Sequence, residues 1–189
     1  MRSRDLEIYK ALLRNKLRHS LNSLSPSRRR AKSKKIIKGL LDSALFRKAK
    51  NIVMYASLPG EVPTRSLIYK ALSLNKKVFL PRINRKSNEL EVFEIRNPSK
   101  DLTRGHYGIW EPQPIRSLKG SPQDMDLVIV PGLGFDRSGA RLGRVKGYFD
   151  RFLKKTIRAT KVGLAFREQL LTRIPTNSRD LKVDKVITD

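Results

Sequence analysis

The chain of 189 residues contains no cysteine, which excludes both a disulfide framework and thiolate chemistry. It has two histidines, His19 and His106, too few for a histidine-based zinc site. Acids are scarce. Seventeen aspartates and glutamates stand against forty-two lysines and arginines, a formal net charge of +25. No apolar run approaches bilayer-spanning length, and the opening Met1-Arg-Ser-Arg-Asp-Leu-Glu7 lacks the apolar core of a secretory signal. The expectation is a cytoplasmic protein. Its length suits one domain over residues 1–189 with a sizeable core. Such a positive field attracts polyanions: nucleic acid, a membrane surface or a multiply charged small substrate.

The most informative stretch runs from Pro131 to Arg151, after the buried-strand pattern Leu127-Val-Ile-Val130. It holds five glycines, five cationic side chains and two aspartates. Glycines let a backbone adopt positive φ and approach a ligand closely. Exposed amides and a following helix N-terminus attract phosphate, cations neutralise it, and aspartate holds an accompanying magnesium. The spacing is not that of a Walker loop. Nor is it a dinucleotide fingerprint, because Arg137 stands where the third glycine is needed. A nucleotide-phosphate loop of another kind explains the combination better than ordinary turn glycines do.

Around this stretch the texture is α/β. Residues 4 to 24 read as a helix with Leu6, Leu13, Leu17, Leu21 and Leu24 on one stripe. Ser25-Pro26 reads as an N-cap and first position of a second helix reaching about Phe46. Strands are expected at Asn51–Ala56, Lys77–Leu80, Leu90–Ile95, Leu127–Val130 and Val162–Phe166, with helices at Thr64–Leu74 and from Gly147 to about Ile157. The segment Asn97–Asp124 reads as an ordered loop over one end of the sheet. The predicted architecture is a single three-layer α/β domain, its mostly parallel central sheet flanked by helices, with an N-terminal helical pair.

Other candidate residues are locally ambiguous. Lys10 and Arg14 share a helix face, which by itself reads as a solvated basic face. Glu61, in Ser57-Leu-Pro-Gly-Glu61-Val-Pro-Thr64, sits where α/β sheets bind ligands, or is a turn carboxylate paired with an arginine; Thr64 is a good N-cap. In Gly105-His-Tyr107-Gly-Ile-Trp110-Glu-Pro112, Tyr107 is the candidate platform for a ring system, and Trp110 is expected to anchor the loop to the core. Asp180 has no local distinction. The run Ser27–Lys35 carries six basic residues and no acid, and is either a nucleic-acid contact or one exposed helix face.

Taken in order, these pieces resemble the 5-formyltetrahydrofolate cyclo-ligase family. The matching motifs are Lys10-x3-Arg14, Glu61-Val-Pro-Thr, Gly108-Ile-x-Glu111-Pro112, Pro-Gly-Leu-Gly-Phe-Asp136-x2-Gly-x-Arg141-Leu-Gly143-Arg144-x-Lys146-Gly-Tyr148-x-Asp150 and Asp180-x3-Asp184. The resemblance implies ATP- and magnesium-dependent closure of 5-formyltetrahydrofolate, in mono- or polyglutamylated form, to 5,10-methenyltetrahydrofolate. Lys10 and Arg14 would contact ATP, and Arg141, Leu142, Gly143, Arg144, Val145, Lys146, Gly147, Tyr148 and Phe149 would wrap its phosphates. Arg144 and Lys146 would stabilise the transferring phosphoryl group. Glu61, Tyr107, Arg144, Lys146, Gly147 and Tyr148 would meet the folate, and Asp150 and Asp180 would hold Mg2+. The partners implied are the small molecules 5-formyltetrahydrofolate and ATP, with no membrane; nucleic acid is not required, though the charge permits non-specific binding, and short hydrophobic edges with high charge point to a monomer.

Two positions depart from the family pattern: Val145 replaces a glycine, and Phe149 replaces a tyrosine. A β-branched residue resists positive φ, so at Val145 either the backbone takes ordinary geometry or the loop is shifted and activity is reduced. The alternative, a basic nucleic-acid-binding protein on an α/β scaffold, accounts for the charge but leaves Glu61, Asp136, Asp150 and Asp180 without a role. The position of Arg28–Lys38 relative to the glycine loop separates the two readings.

Overall fold

The leucine stripe of the first segment forms α1 (Ser3–Asn22), which buries Leu6, Leu17 and Leu21. The computed structural model describes residues 3–105, 108–144 and 147–189; Tyr107, Val145 and Lys146 lie outside them. Ser25 caps α2 (Pro26–Leu41) as expected, accepting from the Arg28 N–H. That helix stops short of Phe46. Asp42-Ser43 interrupts it, and Ser43 caps a separate α3 (Ala44–Lys48).

Strands β1 (Asn51–Val53), β2 (Lys77–Asn84), β3 (Glu89–Ile95), β6 (Lys119–Gly120), β7 (Leu127–Val130), β10 (Thr160–Leu164) and β12 (Lys185–Ile187) form the central sheet, ordered β12-β10-β7-β1-β2-β3-β6. Pairs from β12 to β2 are parallel; β3 and β6 add an antiparallel edge. On one face, Ile36 and Leu40 of α2 and Leu67 of α4 (Arg65–Ser73) pack on Ile52, Leu80 and Ile129. On the other, Phe152 and Leu153 of α6 (Tyr148–Lys155) pack on Val53, Val128 and Val130. The three-layer, mostly parallel α/β expectation holds.

Pro81 obscured the length of β2, which runs to Asn84 rather than Leu80. Beyond Phe79, whose carbonyl accepts from Met54, β1 has ended. Pro81 faces that same open side, so its missing N–H leaves no ladder bond unmade. The expected loop between residues 97 and 124 contains α5 (Pro98–Asp101), a hairpin of β4 (Leu102–Arg104) with β5 (Trp110–Pro112), and β6. A second small sheet joins β11 (Leu170–Leu171) to β8 (Gly134–Asp136) and β9 (Arg141–Leu142), and α1 packs on it through Leu17.

Candidate active site

The segments leaving the carboxyl ends of β1 and β7 carry Glu61 and the glycine-rich loop respectively, and together with α1 they enclose a pocket of about 290 Å³. All of the expected site residues that lie within the described structure line it: Lys10, Arg14, Glu61, Arg141, Leu142, Gly143, Arg144, Gly147, Tyr148, Phe149, Asp150 and Asp180. Segments far apart in the chain converge there.

The glycine loop is shaped from beneath by Asp136. Its Oδ1 accepts from Ser138 N (2.8 Å) and Ala140 N (3.1 Å), and its Oδ2 from Ile174 N (2.8 Å). Burial alone would raise this carboxyl, but those N–H groups and the Ser138 hydroxyl outweigh it and hold the pKa below the usual range. Gly139 turns the chain at φ +81°, where a Cβ would stand 2.1 Å from the Val183 carbonyl oxygen. Gly147 caps α6 at φ +61°, leaving the amides of the first turn at the pocket wall.

Each cation on the described wall is held. Lys10 is 4% exposed, not on a solvated face, and its Nζ donates to Asp180 Oδ2 at 2.6 Å. Arg14 Nε donates to the Gly143 carbonyl at 3.0 Å. Arg141, also buried, donates from Nη1 to the Pro131 carbonyl (3.1 Å) and from Nη2 to Asp150 Oδ2 (2.7 Å). Its Nε is buried without a partner among the described residues. Arg144 is the exposed member: Nε donates to Glu61 Oε1 at 3.1 Å and Nη2 to the Pro59 carbonyl at 3.2 Å.

Glu61 thus satisfies both readings, a pocket carboxylate and an arginine partner. Its Oε2 also accepts from Leu58 N at 2.8 Å. Burial pushes its pKa up, against the Leu58 N–H and Arg144. Thr64 does stand at the N-cap of α4, but its hydroxyl donates to the Tyr55 carbonyl instead of capping. Tyr55, fully buried beside Glu61, has its phenol pKa pushed up by desolvation and by that charge.

Two carboxylates, Asp150 and Asp180, could take part in holding a metal. Asp150 Oδ1 accepts from Leu181 N (3.2 Å) and Asp180 Oδ2 also from Asn177 N (2.8 Å); Asp180 Oδ1 accepts nothing among the described residues. Among those residues, no group of three or more His, Cys, Asp or Glu could hold a metal ion. This donor set fits a Mg2+ that completes its shell with water and phosphate oxygens rather than one caged by protein.

Trp110 overturns the core-anchor expectation. It is 45% exposed, lines the pocket and lies under the Arg104 guanidinium, 4.9 Å from the ring centroid. Asn88, whose Oδ1 accepts from the Tyr148 hydroxyl at 2.8 Å, was not visible to sequence reasoning. It sits in a polar turn with no chemical signature. The basic run on α2 contributes nothing to the pocket lining, so it does not extend the cleft.

The comparisons agree with one another. The family model for the 5-formyltetrahydrofolate cyclo-ligase family matches residues 7–189. A mouse 5-formyltetrahydrofolate cyclo-ligase is 32% identical, over 93% of this chain and 91% of that protein. A probable 5-formyltetrahydrofolate cyclo-ligase of Schizosaccharomyces pombe is 34% identical, over 97% and 96%. Among solved structures, Aquifex aeolicus 5,10-methenyltetrahydrofolate synthetase superposes with a TM-score of 0.84 at 35% identity, covering 94% of this chain and 88% of that one.

Proposed function

Because the chain belongs to the 5-formyltetrahydrofolate cyclo-ligase family, we propose that it closes 5-formyltetrahydrofolate to 5,10-methenyltetrahydrofolate, consuming ATP with Mg2+ and releasing ADP and phosphate. The formyl oxygen attacks the γ-phosphorus and ADP leaves. N10 of the folate then attacks the activated carbon, gives up its proton, and phosphate departs with the former formyl oxygen. Phosphorylation is needed because an amide oxygen is otherwise a poor leaving group.

The observation that carries this reading is the convergence of Lys10, Arg14, Arg141 and Arg144 on one pocket, with Glu61 held against Arg144 at 3.1 Å. Lys10, Arg14 and Arg141 bind and orient the triphosphate, with the α6 amides beside them. Arg144 and Lys146 neutralise charge on the phosphoryl group in transfer. Leu142, Gly143, Val145, Gly147 and Phe149 supply the wrapping surface. Glu61 accepts hydrogen bonds from the folate, Tyr148 lines the formyl end, and Tyr107 is the candidate for contact with the ring system. Asp150 and Asp180 would hold Mg2+, which would supply positive charge to the phosphates.

Every acid proposed for the metal is paired with a cation proposed for phosphate: Asp180 with Lys10, Asp150 with Arg141. Ligand entry is therefore an exchange of ion pairs rather than the filling of a bare positive cleft. A monomer of one domain working in the cytoplasm completes the proposal. Among the described residues no helix is long and apolar enough to cross a membrane.

The test follows the absorbance of 5,10-methenyltetrahydrofolate after mixing protein, 5-formyltetrahydrofolate, ATP and Mg2+, with Asp150→Asn alongside. Product that requires ATP and is lost in the variant supports the reaction and the role of Asp150. No product from wild-type protein that binds neither ligand overturns the reading.

A further inference from the structure

The turn between β2 and β3 is fastened to one side of α6. Asn88 holds this turn at φ 54°, a left-handed conformation that asparagine tolerates better than most residues. The preceding residues are fixed by an Asx turn, with Asn84 Oδ1 accepting from Lys86 N (3.0 Å) and Ser87 N (3.3 Å). Three residues one turn apart along that side of α6 then meet the turn and the start of β3. The Tyr148 hydroxyl donates to Asn88 Oδ1 at 2.8 Å, Arg151 Nη2 to the Asn88 carbonyl at 3.1 Å, and Lys155 Nζ to Glu89 Oε1 at 2.7 Å. The Arg151 guanidinium also covers the Tyr148 ring, 5.0 Å from its centroid.

We infer that Asn88 is a positioning residue for the folate, acting through Tyr148. This rests on the cyclo-ligase reading of the pocket. Tyr148 lines the pocket beside Ile83 and Leu90 of the same hairpin. The hydrogen bond to Asn88 biases its ring against swinging about χ1 out of the wall. With its proton committed to Asn88, the phenol oxygen meets a substrate as an acceptor, and so favours N–H or O–H donors. One side-chain amide thereby couples the hairpin that walls the folate side to the helix that follows the phosphate loop.

The left-handed φ makes the test clean. Asn88→Gly keeps the backbone and the Arg151 contact while deleting the acceptor; Asn88→Asp keeps both the turn and the acceptor. For Asn88→Gly the expected result is a KM for 5-formyltetrahydrofolate raised about tenfold, the worth of one hydrogen bond, with the KM for ATP changed less than about twofold. Asn88→Asp should recover most of the loss. In a Tyr148→Phe background, Asn88→Gly should add nothing further. Quenching of Trp110, the single tryptophan, by 5-formyltetrahydrofolate without ATP gives the affinity independently of turnover. Wild-type quenching and turnover with an unchanged Asn88→Gly affinity overturn the inference and leave the cyclo-ligase reading standing. Additive effects of the two substitutions, or no recovery in Asn88→Asp, also overturn it. Wild-type protein that neither binds nor converts the folate overturns both.

Discussion

The pocket wall and the outer face of α2 are both crowded with cations, yet they are built in opposite ways. On the wall, Lys10 and Arg144 each face a carboxylate distant in sequence, at 2.6 and 3.1 Å, and Arg141 faces Asp150, nine residues on across the start of α6, at 2.7 Å. On α2, Arg28, Arg30, Lys34, Lys35 and Lys38 are exposed, and only Lys38 meets an acid, its own helix neighbour Asp42. The α2 cations that do find distant partners are those turned inward. Arg29 donates to the Leu21 carbonyl and lies over Phe166, and Lys32 pairs with Glu168 and Asp189. Density of charge does not mark a site. What marks it is charge held by carboxylates from other elements in a concave place, where a ligand can exchange with the partner.

The sharpest way to break that comparison is to remove a held cation. Lys10→Ala should lower kcat/KM by about a hundredfold, about 2.7 kcal/mol of transition-state stabilisation. It should also destabilise the fold by about 1–3 kcal/mol, because Asp180 keeps a charge with no counterion. Adding Asp180→Ala should restore part of the stability and none of the turnover. Urea unfolding and turnover of both variants separate the two effects. If Lys10→Ala turns over like wild type, the paired wall is merely structural and the contrast with α2 collapses.

How much of this was legible in the sequence follows the range of the interactions. The α1 stripe, the Ser25-Pro26 cap and the strand before the glycine loop are local signals, and each stands where expected. The break at Asp42-Ser43 and the continuation of β2 past Pro81 depend on what lies alongside, so they were missed. The final strand β12 was missed for the same reason: three residues, paired only with β10, have no periodicity of their own. At the site, Lys10 and Asp180 are separated by 170 positions. Neither has a distinctive neighbour, so the residue pattern alone read one as solvated and the other as unremarkable. Resemblance to a family named them; packing explains them. Asn88 had neither signal.

The comparison sharpens on the acid side at Asp136, which lies in the glycine loop yet, among the described residues, faces N–H groups and the Ser138 hydroxyl and no cation. Asp136→Asn must aim an amide N–H at a backbone N–H, either at Ile174 or at Ser138 and Ala140. The expected cost is about 2 kcal/mol at neutral pH. The folded pKa is depressed, so the carboxylate stabilises the fold above its unfolded value of 3.8 and loses that contribution as pH falls through the folded value. The gap between wild type and variant in urea unfolding should therefore be full at pH 7 and narrow below pH 3.8. A gap independent of pH would mean that shape rather than charge holds the loop.

The smallest effect belongs to α2 and completes the contrast. Arg30 and Lys34 stand four residues apart on its exposed face, as do Lys34 and Lys38, and like charges at this spacing repel by about 0.2–0.5 kcal/mol per pair. Replacing Arg30, Lys34 and Lys35 together by Gln removes those repulsions and touches neither the buried Ile36 and Leu40 nor the pocket. Stability should rise by a few tenths of a kcal/mol, most at low salt, where screening is weakest. Turnover should stay within about twofold, because at 0.15 M salt the Debye length is about 8 Å and the outer face is poorly felt in the pocket. Retention on an RNA column should fall, since each lost cation releases fewer counterions. A loss of turnover as large as that of Lys10→Ala would mean the outer cations steer or hold the substrates, and the paired wall would no longer be the whole site.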